Sequence, residues 1–293
     1  MASRNEVGLR HLRSYLRRKS TSEFIKQLVM YTILAMGTGF ILIPFLWMIS
    51  TSLKLPHEVW RPGTFLPETL HFENYIYPFV ILPFTRFLRN SLIIVALNII
   101  GLIVSCTIVG YGFARYQHVK GNRTLFVVLL ATMMLPGQVT LIPQFILFRN
   151  LGWFDTFYPL IVPAFFATPF YVFLLRQFFM GIPRELEEAA YIDGAGVTVI
   201  ILRIIVPLAK PAIATVIIFE FLAKWNDFFG PLIYLDSMEN YTLALGLQFF
   251  ESQYSTEYGP MMAIATLMMV PCIAIFFYAS KYFIQGINLT SFK

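Results

Sequence analysis

The sequence predicts an all-α integral membrane protein with six transmembrane helices, and three observations carry that prediction. Only 13% of the 293 residues are charged, 22 Lys+Arg and 16 Asp+Glu, about half the share found in ordinary soluble domains. Hydrophobic residues make up 57% of the chain and aromatic ones 17%. Charge-free windows from Gln27 to Leu53, Asn90 to Ala114, Thr124 to Phe148, Thr156 to Leu175 and Tyr258 to Ser280 each reach the ~20 residues needed to cross a hydrocarbon core. A disordered chain, a nucleic-acid-binding tail protein and a conventional soluble enzyme are excluded. Lipid leaves only helices or closed barrels, and these runs lack the alternation of barrel strands.

The elements follow in order. Residues 1–27 form a cytoplasmic segment rich in Arg and Lys, from Arg4 to Lys26, and residues 28–293 form one six-helix domain. The first helix is expected at about 28–49. Ala35-Met36-Gly37 resembles a signal cleavage site, but the apolar run continues to Ile49, longer than a signal core of roughly 7–15 residues, so the helix is read as uncleaved. The second helix is expected at about 91–114, the third at 124–147 and the fourth at 157–180. A polar stretch, 181–211, follows. The fifth helix, 212–235, contains Glu220, Lys224 and Asp227, and the sixth covers 261–284. Pro136, Pro143, Pro163 and Pro169 lie inside apolar runs as kinks, with or without a gating role.

Basic residues set the orientation. They crowd the N-terminal segment, the loop with Arg115, Lys120 and Arg123, and the 181–211 stretch with Arg184, Arg203 and Lys210, whereas the last outer loop, from Asp236 to Glu257, has none. Both termini are therefore expected in the cytoplasm. The net charge of +6 suits anionic lipid rather than nucleic acid. The four histidines show no ligand spacing, so no metal is expected, and Cys106 and Cys272 read as small buried hydrophobes.

The 181–211 stretch reads as a helix, a glycine turn and a second helix. Pro183 suits a first helical position. Glu185, Glu187 and Glu188 favour the positive end of the helix dipole. Leu186, Ala189, Ala190 and Asp193 follow a helical spacing that gives a narrow face of small side chains, and Gly194 can adopt the left-handed conformation that stops a helix. A membrane-surface connector is one reading. Such helices favour Lys and Arg on the polar face, so an acidic one fits a protein partner better. In the fifth helix, Glu220, Lys224 and Asp227 share a face at i, i+4 and i+7. Charges at membrane depth face a cavity or an interface. Trp225, Asn226 and Asp227 suit either a translocation path or a subunit interface, and Glu220 with Lys224 suits a structural pair.

Glu188-Ala189-Ala190, then Gly194, then Ile204-Ile205-Val206-Pro207 resembles the EAA loop of binding-protein-dependent ABC importer permeases, with Val206 in place of the usual Leu. Leu135-Pro136, Ile142-Pro143, Gly152, Trp225 to Phe228 with Pro231-Leu232, Thr242 to Leu247 and Tyr282 to Gly286 extend the likeness to the smaller permease of maltose and multiple-sugar importers. The C-terminal segment, Ile287 to Lys293, departs from the Val-Lys-Gly ending of many members. The resemblance implies a cytoplasmic coupling helix in which Glu187, Glu188, Ala189, Ala190, Asp193 and Gly194 engage an ATPase. It also implies a second permease, two ATPase subunits, an extracytoplasmic sugar-binding protein, and a bacterial or archaeal cytoplasmic membrane. No Gly-x-x-x-x-Gly-Lys-Ser/Thr segment occurs, so ATP with Mg is expected on the partner ATPases and the chain itself is read as a non-enzyme without a cofactor. A stand-alone secondary transporter or channel remains the alternative; its expected inverted repeat is not evident. A membrane enzyme would need clustered catalytic groups, and the histidines do not cluster.

Overall fold

A computed structural model describes the backbone of residues 3–61, 63–251 and 257–290, and the side chains of 23–61, 63–251 and 257–278. The basic side chains before Glu23, the 279–286 side chains and the end of the chain, 291–293, lie outside the described residues. Among the described residues every element is helical. Four helical stretches among the described residues are long and apolar enough to cross a membrane, or up to six if each of two bent pairs is one span.

Helix α1 (Ser3–Ser52) contains the expected 28–49 span without a break, and its apolar window has no buried residue. It joins the bundle at its C-terminal end, where Ser50, Thr51, Ser52 and Lys54 are buried. Helix α2 (Phe84–Arg115) is the axis of the molecule. It begins earlier than expected because Phe84 and Phe87, both fully buried, pack with Phe250, while Arg86 and Arg89 stay exposed. At 32 residues it is about 48 Å long.

The third expected span is two helices, α3 (Asn122–Ala131) and α4 (Gly137–Asn150), bent by 95°. Pro136 drives Leu135 out of helical geometry, to ψ 115°, as a following proline does. The fourth span also breaks. A turn at Tyr158–Ile161 and a 3-10 segment at Val162–Phe166 end at Ala167, whose φ is +61°, and α5 (Pro169–Met180) resumes. Polar side chains of α2 accompany the irregular carbonyls: Asn98 donates to Leu160 O (2.8 Å) and Ser105 to Ala164 O (3.0 Å). That compensation is what non-helical backbone needs at membrane depth.

Helix α6 (Glu185–Ile192) is the first helix of the polar stretch. After Gly194 come Val197–Ile200, a π turn at Ile201–Ile205, and Val206–Leu208, which bend by 80° into α7 (Lys210–Trp225). The expected 212–235 helix is interrupted: α7 ends at Trp225 and a short helix restarts at Phe229–Tyr234. Asp227 causes the restart, its Oδ1 accepting from Gly230 N–H at 3.0 Å. Helix α8 (Tyr258–Thr290) closes the fold. One core joins the Arg115 half of α2 to α5, Ile182, Ile200, Ile205 and α7, while a second joins its Phe84 half to Trp225, Leu243 and α8.

Candidate functional site

Helix α6 is built as its sequence dictates. Three glutamates occupy its first turn, where the helix dipole favours them. Its end is a Schellman motif: Ala195 N–H donates to Ala190 O (2.9 Å) and Gly194 N–H to Tyr191 O (3.0 Å). Gly194 sits at φ +83°, a conformation that costs a residue with a Cβ about 1–2 kcal/mol.

The helix has two unlike faces. Glu188, Ala189, Asp193 and Ile192 are exposed, Ile192 to 87% of its surface. Glu187 is 5% exposed, and Ala190 and Ala195 pack on the core. Glu187, expected with Glu188 among the ATPase-coupling residues, points into the bundle. Arg115 Nε donates to its Oε1 at 2.6 Å, with Nη2 2.5 Å from the same oxygen. Tyr111 O–H donates to Oε2 at 2.8 Å, and Arg115 Nη2 also reaches Ile182 O at 3.0 Å. Charge-assisted contacts of this kind are short and directional. Arg115 and Tyr111 were not singled out by the sequence, although Glu187 precedes Ala190 by three and so shares the face that packs inward. A carboxylate on that face needs a buried cation.

The charges of α7 separate. Glu220 is buried and accepts from Tyr171 O–H on α5 at 3.0 Å. The expected Glu220–Lys224 ion pair is not the one formed. Lys224 Nζ lies 3.7 Å from Asp227 Oδ2, because the helix breaks after Trp225 and Asp227 folds back. Trp225 is only 2% exposed, stacks on Phe221 and donates to Met268 O at 2.9 Å. It borders an apolar cavity of about 330 Å³ with Phe79, Leu88, Ile264, Leu267 and Pro271, a lining suited to hydrocarbon rather than to hydroxyl groups. Asn226 is exposed and donates to Leu222 O. Among the described residues no group of three His, Cys, Asp or Glu side chains converges as a metal site would require.

A second carboxylate organises the other end of α2. Asp155, at φ +57°, accepts at Oδ1 from the N–H groups of Asp236 and Ser237 and from Asn240 Nδ2, each at 3.0 Å. Ser237 O–H donates to Oδ2. Partial burial pushes its carboxyl up, but the hydrogen bonds from Ser237, Asn240 and the two backbone N–H groups outweigh that and hold it well below the usual carboxylate range. The same loop is tied to α2 by Asn90, which donates to Glu239 O and Tyr241 O.

The family described as binding-protein-dependent transport system inner membrane component matches residues 106–289, a stretch that contains α6, its glycine turn and the break in α7. The chain belongs to this family. Among its relatives, the arabinooligosaccharides transport system permease protein AraQ of Bacillus subtilis is 34% identical over 258 residues, covering 86% of this chain and 90% of that protein. The probable ABC transporter permease protein YurM of the same organism is 32% identical over 251 residues, 85% and 83% of the two chains. The fold matches, at a TM-score of 0.78 and 24% identity over 89% of this chain and 98% of the other, a chain of a bacterial ABC transporter involved in the import of the acidic polysaccharide alginate. As a family member the chain is a multi-pass membrane component of a transport system, and α6 with its two unlike faces is the part whose design the membrane does not explain.

Proposed function

We propose that the chain is the permease subunit of an ATP-driven importer of carbohydrate, one half of a translocation path whose other half is a second permease. The observation that carries this reading is the outward face of α6: a glutamate, small residues and a fully projecting Ile192, an apolar and acidic ridge suited to a protein groove. In this reading each bent pair is one span, which makes six, and both termini lie on the cytoplasmic side with α6. Two ATPase subunits hold ATP with Mg, and an extracytoplasmic binding protein delivers the sugar across a bacterial or archaeal cytoplasmic membrane. The sugar class is supported by relatives named for arabinooligosaccharide transport and for diacetylchitobiose uptake in Streptomyces coelicolor. The unburied span of α1 fits a helix that packs on the second permease rather than a stand-alone transporter.

ATP closes the ATPase pair, α6 follows its groove, and the bundles rock between inward-facing and outward-facing states. Docking must differ in energy between the two ATPase states for this to work. Glu188, Ala189, Asp193 and the Gly194 turn form the coupling surface, with Glu188 meeting a basic group on the ATPase. Asn226, with the Lys224–Asp227 pair, is the polar surface left at the break in the fifth span for the path or the permease interface. Glu188→Lys and Gly194→Val are each expected to abolish ATP-dependent uptake of labelled arabino-oligosaccharides or chitobiose into vesicles while membrane insertion persists. Normal uptake in both variants, alongside a chain that purifies and transports without ATPase subunits, rejects the reading.

A further inference from the structure

We propose that Arg115, Tyr111 and Glu187 form the joint that carries a displacement of α6 into α2, an inference that rests on the reading of α6 as the coupling helix. Helix α6 has eight residues and meets the core through Ala190, Ala195 and Ile182. The two alanines bury little surface and grip weakly, and Ile182 lies outside the helix itself. A stiff attachment has to come from elsewhere, and the Glu187 carboxylate supplies it. One oxygen is held by Arg115 and the other by Tyr111, residues one helical turn apart on α2. Two anchors on the same helix fix the angle of α6 as well as its distance.

Arg115 adds a third contact at Ile182 O, on the turn that precedes α6, so both the helix and its entry move with α2. Arg115 and Glu187 are only 8% and 5% exposed, which shields the pair from the salt screening that weakens surface ion pairs. The middle of the lever is equally specific. Asn98 and Ser105 of α2 hold the broken fourth span through Leu160 O and Ala164 O, so a tilt of α2 reaches the irregular backbone directly. Glu187 and Glu188 thus divide the work: Glu188 faces the partner and Glu187 faces the lever.

The test uses the assembled complex of this chain with its cognate second permease and ATPases in vesicles. It reads how vanadate-trapped ATP changes the rate at which a membrane-impermeant maleimide labels Thr85→Cys, an exposed position at the far end of α2, with Cys272 replaced by Ser. In the otherwise native chain trapping is expected to change the rate about tenfold, within the usual range of coupling between linked sites. Glu187→Gln is expected to abolish that change in complexes that still contain their ATPase, and Arg115→Lys, which keeps the charge but loses the fork, to halve it. A residue that merely stabilises the fold would alter the yield of complex and not its response to nucleotide. A full response in Glu187→Gln overturns the joint, and so does loss of the ATPase from that complex, which would make Glu187 a docking residue. Where Glu187→Gln does not fold or insert with the second permease at all, Tyr111→Phe decides: a reduced response supports the joint and an unchanged one overturns it. If the native complex binds no ATPase, the coupling-helix reading itself fails, an outcome distinct from failure of the joint.

Discussion

Two carboxylates order the structure around opposite ends of α2, and they do it by different chemistry. Glu187 is buried and held by a guanidinium and a phenol. Asp155 is half-buried and held by four neutral donors, two of them backbone N–H groups. The first arrangement joins two helices through side chains on a single turn of α2. The second knits two loops, Trp153 to Thr156 and Asp236 to Asn240, into one surface. A buried ion pair is unforgiving, because removing either partner strands a charge, whereas a carboxylate among neutral donors near water loses only hydrogen bonds. The end of the bundle assigned to the ATPase is therefore stiff by virtue of charge, and the opposite end by virtue of loop geometry.

The largest expected effect separates these two designs. Arg115→Met leaves Glu187 buried against Tyr111 without its cation and is expected to cost about 3–5 kcal/mol, measured by thermal unfolding of the purified chain in detergent. A cost no greater than that of Asp155→Asn would erase the distinction. Adding Glu187→Leu to Arg115→Met sharpens it, since replacing both charges by apolar groups of similar volume is often neutral. The double variant is expected to recover most of the lost stability while failing to couple.

An intermediate effect is expected at Glu220. Tyr171→Phe removes the hydroxyl that donates to Glu220 Oε2 and leaves a buried carboxylate short of a donor, at a cost of about 1–3 kcal/mol in the same unfolding measurement. Glu220 has one neutral donor where Glu187 has a cation, so its loss should fall between those of Arg115 and Asp155. A cost equal to that of Arg115→Met would show that burial, not the ion pair, sets the scale.

Much of this architecture was legible in the sequence, and the reasons for the exceptions are physical. Charge-free windows located the apolar spans because burying charge in lipid is costly for any residue. The glutamate-rich first turn and the Gly194 stop of α6 were legible because the chemistry of helix ends is local, whereas Pro183, expected at the first helical position, lies two residues before the helix begins at Glu185. What escaped was non-local. The break at Ala167 is accompanied by α2 donors that reach Leu160 O and Ala164 O across the bundle, and a window of hydropathy carries no such information, whereas the 95° bend follows the Pro136 breaker that the sequence already marked. Arg115 was counted only among the residues that orient the chain, because its partner is 72 positions away. The α7 charges were placed on one face by assuming a continuous helix, and Asp227 left that face when its side chain capped the next turn.

The smallest expected effect lies at Asp155, and there the comparison can be made by pH. Asn tolerates the left-handed backbone that Asp155 adopts, so Asp155→Asn removes the charge without straining the loop; with the site partly open to water the cost is about 1 kcal/mol at neutral pH. The folded carboxyl lies below its usual range, so the stability it contributes is complete above the unfolded value, about 3.9, and is lost as pH falls below that value toward the folded one. The gap in unfolding temperature between native chain and Asp155→Asn is therefore expected to stay constant from neutral pH down to about 5 and to narrow below about 4. A gap that closes well above 5 would mean that Asp155 gains nothing from its donors as an anion. The clasp would then owe its order to backbone geometry alone, and the contrast with the charge-held end would become one of helix against loop rather than of cation against neutral donor.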